Sequence, residues 1–282
     1  MGKKLLLTTD FSKNSWDALV YALKLHADQE CDFYILNTYV KDTSGIDSIA
    51  FLDPDEAFNK LYENRSKEGL GDILQRLTFS EENTNHRMHV LSRSTPFVDA
   101  VKDVVEKMQI DMIIMGAKGM KNERARKYGK NTLAVIGSVR KCPVLVVPRN
   151  VSFNRPEEIV LATNFKTDFR TSEIKYLAEI AKRMEASVQI LSLADKGKFT
   201  QKQETNKKRL KKYFKDVNHS FNMLHNVKMS DALNCFVEIR HSNIISYIDK
   251  KPSFWEQLGF SEPTLGKLGY YEKVPVLALN DK

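Results

Sequence analysis

Cysteine is scarce in this chain of 282 residues. Cys31, Cys142 and Cys235 lie far apart and form no CxxC pair, so neither a disulfide framework nor a thiolate zinc site is expected, and a reducing cytosol suits them. Cys142 precedes an apolar strand and reads as packing. Apolar residues never run on for the ~18 positions of a membrane-spanning helix. The opening, Met1 to Leu7, meets Thr8-Thr9-Asp10 too soon for a signal peptide. The cytoplasm is the expected location, with no membrane partner. There is no P-loop GxxxxGK[ST] and no GxSxG elbow, which removes two common routes to nucleotide and ester hydrolysis. His86 and His89 stand three apart, but no carboxylate or cysteine pattern completes a metal site around them. Low-complexity tracts are absent as well.

What is present is an ordinary globular balance, 42% hydrophobic and 28% charged, in a chain long enough for about two domains. The formal charge of +8 is uneven: residues 1–150 hold 22 basic and 20 acidic side chains, and the remainder 22 and 16. Most of that second excess lies between Lys196 and Lys215. Leu210, Phe214 and Val217 run through it at i, i+4, i+7, so it reads as the solvated face of a helix and not as a nucleic-acid surface.

The two halves repeat one another. Asp99-Ala100 matches Asp231-Ala232, Asp111 to Ile114 matches Asn243 to Ser246, and Pro143 to Val147 matches Pro275 to Leu279, all at an offset of 132. Units of this size are domains, here 1–150 and 151–282. The first copy carries Gly116, Gly119 and Gly129, where the second has Ile248, Lys251 and Ser261. Glycine after a strand lets backbone N–H groups approach a phosphate. One copy keeps such a loop and the other has lost it.

Each half opens with a short strand, Lys4–Thr9 and Glu158–Thr163, that stops at Asp10 or Asn164. Trp16, Leu19, Val20 and Leu23 predict an amphipathic helix, as do Ile174, Leu177, Ala178 and Ala181. Ser12, and Thr171 or Ser172, are the expected N-caps. Second strands follow at Phe33–Leu36 and Val188–Leu191, then variable helix-bearing segments at about 41–85 and 196–218. A third strand at Met88–Leu91, a helix at 97–108, a fourth strand at Asp111–Met115, a helix at 131–139 and a last strand at Val144–Val147 complete the first half. Strands alternating with helices imply parallel βαβ units. If strand order reverses between the first and fourth strands, Asp10 and Gly116 flank the crevice where doubly wound sheets bind ligands. A helix opening near Asn131 points its positive end there. Lys118, Lys121, Arg124, Arg126, Lys127 and Lys130 make the glycine loop cationic against Glu123 alone.

Gly116-x2-Gly119-x9-Gly129, an Asp-Phe-Ser after the first strand and a Cys-Pro-Val-Leu-Val-Val last strand together resemble the universal stress proteins, in tandem form. The resemblance implies α/β architecture: two Rossmann-like domains, each a five-stranded parallel sheet of order 3-2-1-4-5. It also implies an intrachain pseudo-dimer, in which the two last strands pair antiparallel. A further homodimer and an unknown protein partner stay open. In nucleotide-binding relatives the aspartate and the end of the second strand hold adenosine, and the loop holds ribose and phosphates. Carried over, these positions are Thr9, Asp10, Thr38, Met115, Gly116, Lys118, Gly119, Gly129, Lys130, Asn131 and Thr132. Lys130 departs from the pattern, which has a small hydroxyl residue there. A lysine offers a point charge on a long stem, which either grips a phosphate or swings into solvent.

The second half has Asn164 for the aspartate, Tyr247 for Met115, and Glu262-Pro263 for Lys130-Asn131. Glutamate repels phosphate and proline lacks a donor. Phe254, Trp255 and Phe260 are expected to fill the vacated pocket. The reading is a cytoplasmic stress-response or signalling protein that binds ATP or AMP in its first half, with Mg accompanying ATP only, and a second half that binds none. Two alternatives use the same residues: a nucleotide-independent interaction module with a vestigial loop, and a slow ATP hydrolase.

Overall fold

The computed structural model describes residues 2–39, 54–80, 83–118, 127–193, 199–251 and 264–281. Gly119, Lys121, Glu123, Arg124, Arg126, Lys196, Phe254, Trp255, Phe260, Ser261, Glu262 and Pro263 lie outside these residues.

The first half runs β1 (Lys3–Thr8), α1 (Lys13–Leu25), β2 (Cys31–Thr38), α2 (Pro54–Ser80), β3 (His86–Arg93), α3 (Phe97–Met108), β4 (Met112–Gly116), α4 (Lys130–Ser138) and β5 (Val144–Val147). The second runs β6 (Glu158–Ala162), α5 (Thr171–Met184), β7 (Ser187–Leu193), α6 (Gln201–Tyr213), β8 (His219–Leu224), α7 (Met229–Ile239), β9 (Ile244–Asp249), α8 (Thr264–Leu268) and β10 (Val276–Asn280). All ten strands form one sheet of order β3-β2-β1-β4-β5-β10-β9-β6-β7-β8. Within each half the pairing is parallel in the order 3-2-1-4-5. The halves meet where β5 and β10 pair antiparallel, with Val146 opposite Val276 and Val144 opposite Ala278. The expected pseudo-dimer is therefore one continuous sheet.

Strand alternation builds the core. Leu5 and Leu7 point to one face and Leu6 to the other, as successive side chains must. On the first face Leu145 and Val147 join Leu277 and Leu279. On the second, Val144 and Val146 join Val276 and Ala278. Each apolar layer thus crosses the seam, and charged side chains fasten its margins. Arg140 donates to the Asp249 carboxylate at 2.5 Å, to its carbonyl at 2.6 Å and to Asp281 at 2.6 Å. Lys3 of β1 pairs with Glu179 of α5, and Arg183 of α5 pairs with Asp28 just after α1.

Ser12 caps α1, accepting the Ser15 N–H, as expected. The cap of α5 differs. Arg170 occupies it without a side-chain capping bond, and Thr171 and Ser172 lie inside the helix. The cause is a longer approach in the second half: Phe169 bridges to Asp281, and the Arg170 Nε donates to the Asp281 carbonyl, before the helix begins. On α6 Leu210 and Phe214 are fully buried while Lys208, Lys211 and Lys212 face outward, the solvated-face arrangement. Among the described residues no helix is long and apolar enough to cross a membrane.

Candidate functional site

The order β2-β1-β4 places a topological switch between β1 and β4, where the crossover helices leave to opposite faces. A cleft of about 180 Å³ opens at that point, at the carboxyl ends of the strands. Thr9, Asp10, Thr38, Met115, Gly116, Lys118, Asn131 and Thr132, named from the sequence, all line it. Gly129 is buried just behind it, and Lys130 is exposed outside the described lining. Gly119 falls outside the described residues.

The turn after β1 shapes one wall. Phe11 sits at φ 63°, an uncommon conformation for a residue with a side chain. Two side chains stabilise it: Thr9 Oγ1 accepts the Phe11 N–H at 3.0 Å, and Asp10 Oδ1 accepts the Ser12 N–H at 3.1 Å and its hydroxyl at 2.5 Å. The Phe11 ring lies over Gly69 of α2, where a Cβ would stand 2.6 Å from the ring. Asn37 ties β2 to this turn by donating to the Thr9 carbonyl at 2.8 Å. Asn37 and Ser15 also line the cleft, and the sequence reading missed both. Asn37 carried a signal: a polar residue on the strand face otherwise formed by Cys31, Phe33 and Ile35.

The opposite wall comes from β4 and α4. A Cβ on Gly116 would meet the Asn14 Nδ2 at 2.0 Å. The glycine is thus required by the α1 side chain packed on it, independently of any ligand. Asn14 in turn donates to the Val147 carbonyl at 3.3 Å, and its Oδ1 is buried without a partner among the described residues. Gly129 is the N-cap of α4 at φ −67°, ψ 152°, and makes no side-chain cap. That backbone is open to any residue. What glycine contributes here is the lack of a side chain at the cap, so no Cβ there competes with a ligand for the first-turn N–H groups of α4. Thr132 donates back to the carbonyls of Gly116 and Ala117 at 3.2 and 3.3 Å, which fixes α4 against the end of β4.

Lys118 is the cation in the wall, only 9% exposed. Its ammonium lies 4.2 Å from the centre of the Tyr270 ring. Burial holds its pKa below the ordinary lysine value, against a smaller upward pull from Glu272. Among the described lining residues Asp10 is the single carboxylate, and its Oδ1 is already engaged in the turn. The arrangement offers hydroxyls, amides, a buried cation and a helix N-terminus. That set has the chemistry to complement a polar, anionic group.

The second half keeps the turn and changes the described residues around it. Thr163 Oγ1 accepts the Phe165 N–H at 3.0 Å and Asn164 Oδ1 the Lys166 N–H at 2.9 Å, with Phe165 at φ 58°. Strand register then puts Leu193 at the place of Thr38, Tyr247 at that of Met115 and Ile248 at that of Gly116. Tyr247 and Ile248 are 2% and 7% exposed. Of the expected fillers Phe254, Trp255 and Phe260, none lies within the described residues.

Residues 1–148 match the family model described as the universal stress protein family. Among solved structures, a universal stress protein from Archaeoglobus fulgidus DSM 4304 aligns over 99% of this chain and 96% of its own, with TM-score 0.69 and 14% identity. A putative universal stress protein from Pseudomonas aeruginosa UCBPP-PA14 aligns over 99% and 94%, with TM-score 0.55 and 9% identity. At such identities these structures speak for the fold alone. No curated protein matches the chain. With the family model spanning more than half of it, the chain belongs to the universal stress protein family.

Proposed function

We propose that the first half binds one adenine nucleotide, ATP or AMP, and that the chain acts in stress response or signalling through the bound and free states. The observation that supports this most is the convergence of eight residues, from four separate stretches of sequence, on one cleft at the switch point of the sheet. Met115 and Phe97 offer apolar surface to a base. Thr9, Asp10 and Thr38 offer hydrogen bonds to a ribose, and Lys118 with the opening turn of α4 faces the phosphates. At about 180 Å³ the described cleft is smaller than the ~300–1,000 Å³ usual for small-molecule sites. The phosphates then lie at its mouth, over α4. ATP brings Mg with it, and among the described lining residues Asp10 is the carboxylate that could face such an ion.

Calorimetric titration with ATP, AMP and adenosine, together with release and identification of copurified nucleotide, tests the reading. One nucleotide per chain is expected. A stoichiometry near two shows that the second half has been misjudged. No binding of any of the three leaves the chain as a nucleotide-independent interaction module. Phosphate release above a slow background in the bound state favours the hydrolase instead.

A further inference from the structure

One side chain of the second half meets the described ends of the first half's glycine loop. Tyr270 follows α8 and stands across the seam from the cleft. Its ring covers the Lys118 ammonium at 4.2 Å and meets Tyr128 edge-on, with centroids 4.9 Å apart and planes at 71°. Lys118 and Tyr128 are the two ends of the glycine loop: one follows β4, and the other precedes Gly129, the cap of α4. A single aromatic residue of the second half therefore touches both ends of the first half's loop.

The Tyr270 ring is the direct contact of the Lys118 ammonium, beside the attraction of Glu272. Lys118 is nine-tenths buried, and among the described residues it makes no hydrogen bond and no salt bridge. A buried ammonium without acceptors is costly, and a ring face offsets part of that cost without occupying any of its three N–H donors. Lys118 also separates two clefts. One is the switch-point cleft. The other, about 240 Å³, opens at the seam and is lined by Asn14, Lys118, Arg149, Asn150, Tyr270 and Glu272. Without the ring, the long lysine stem has the seam cleft to relax into.

We infer that Tyr270 is a positioning residue for the first half's ligand site, holding the Lys118 ammonium at the cleft wall with its donors free for an anionic group. The inference rests on the nucleotide reading for its ligand, so the test has one arm that needs no nucleotide. In that arm the rate at which an amine-reactive ester acylates Lys118 is followed by mass spectrometry in the intact chain. Tyr270→Leu is expected to raise it severalfold, and Tyr270→Phe, which keeps the ring, to leave it unchanged. In the second arm ATP and adenosine affinities are measured. Tyr270→Leu is expected to weaken ATP by about tenfold with adenosine unchanged, Tyr270→Phe to match the wild type, and Tyr270→Leu to add nothing in a Lys118→Met background. Equal acylation of Lys118 in all three proteins overturns the inference. So does an equal loss of ATP and adenosine, or a full further loss in the Lys118→Met background, since either makes Tyr270 a general support of the fold. If the wild type binds neither ligand, the nucleotide reading itself fails, while the acylation arm still judges whether Tyr270 holds Lys118.

Discussion

The turns after β1 and β6 are nearly the same object, yet different side chains surround them. Both place a phenylalanine at positive φ, both use a threonine hydroxyl to accept its N–H, and both close with an Asx side chain. Asn164 performs the backbone duty of Asp10 without its charge. The turn geometry is therefore what folding requires, and the carboxylate is what folding leaves optional. The third residue of the following helix makes the same point. In α1 it is Ser15, which borders the cleft and pairs with Thr9 at 3.0 Å. In α5 it is Glu173, which turns to the seam and accepts both the backbone and side-chain N–H groups of Asn280. One helix position borders the switch-point cleft in one half and serves assembly in the other.

The sharpest way to break this contrast is Gly129→Val. A branched side chain at the bare cap of α4 covers the first-turn N–H groups. ATP affinity is expected to fall by about a hundredfold, the loss of charge-assisted hydrogen bonds worth ~1.5–3 kcal/mol each, with the circular dichroism spectrum unchanged because φ −67° suits valine. Equal calorimetric affinity in mutant and wild type removes α4 from the site.

Glu173 tests the assembly role. Burial raises its pKa from 4.5 to about 7, outweighing the opposing hydrogen bonds from Asn280. The folded state therefore favours the protonated form. Its contribution to stability is complete below pH ~4.5 and is lost as pH rises through about 7, a change on the order of 2–3 kcal/mol. Denaturant midpoints of the wild type are expected to decline across that window relative to Glu173→Gln, which has no proton to lose. Parallel pH profiles for the two proteins would falsify the assignment.

Next in size is Gly116→Ala. Its Cβ displaces Asn14 and is expected to cost about 1–3 kcal/mol of stability, read as a lowered unfolding midpoint. Asn14→Ser in the same chain, which copies the Ser172 of α5, is expected to recover most of it. If the double variant is no more stable than the single one, Asn14 is not what demands the glycine.

The smallest effect belongs to Lys130. It is exposed and outside the described cleft lining, so Lys130→Ala is expected to change the ratio of ATP to adenosine affinity by less than about threefold, as exposed pairs contribute ~0–1 kcal/mol. A tenfold drop that shrinks in high salt reassigns this lysine to the phosphates.

The sheet was legible in the sequence because its signals are local. Leu5-Leu6-Leu7 and Val144 to Val147 are apolar runs bounded by polar turn residues, and the repeat showed that the same elements occur twice. Asp10, Met115 and Thr132 were legible as cleft residues through the spacing of the strands and glycines that carry them. Asn14 beneath Gly116, Asn37 on Thr9 and Tyr270 on Lys118 were not. Each is a contact between distant stretches, whose partner is fixed only once the strands have taken their order. The cap of α5 was misread for a related reason. Thr171 and Ser172 have good capping chemistry, but the bridge from Phe169 to Asp281 decides where the helix begins.

The junction of β5 with β10 has a consequence for how such a chain diverges. Two identical subunits that meet about a twofold axis must accept every substitution in both copies at once. Here the partners are in series on one polypeptide, so their pairing is unimolecular and does not weaken on dilution. A change such as Gly116 to its counterpart Ile248 falls on one copy alone, while the other continues to carry whatever ligand duty remains. Covalent continuity thus turns a symmetric assembly into one whose members are free to become unequal.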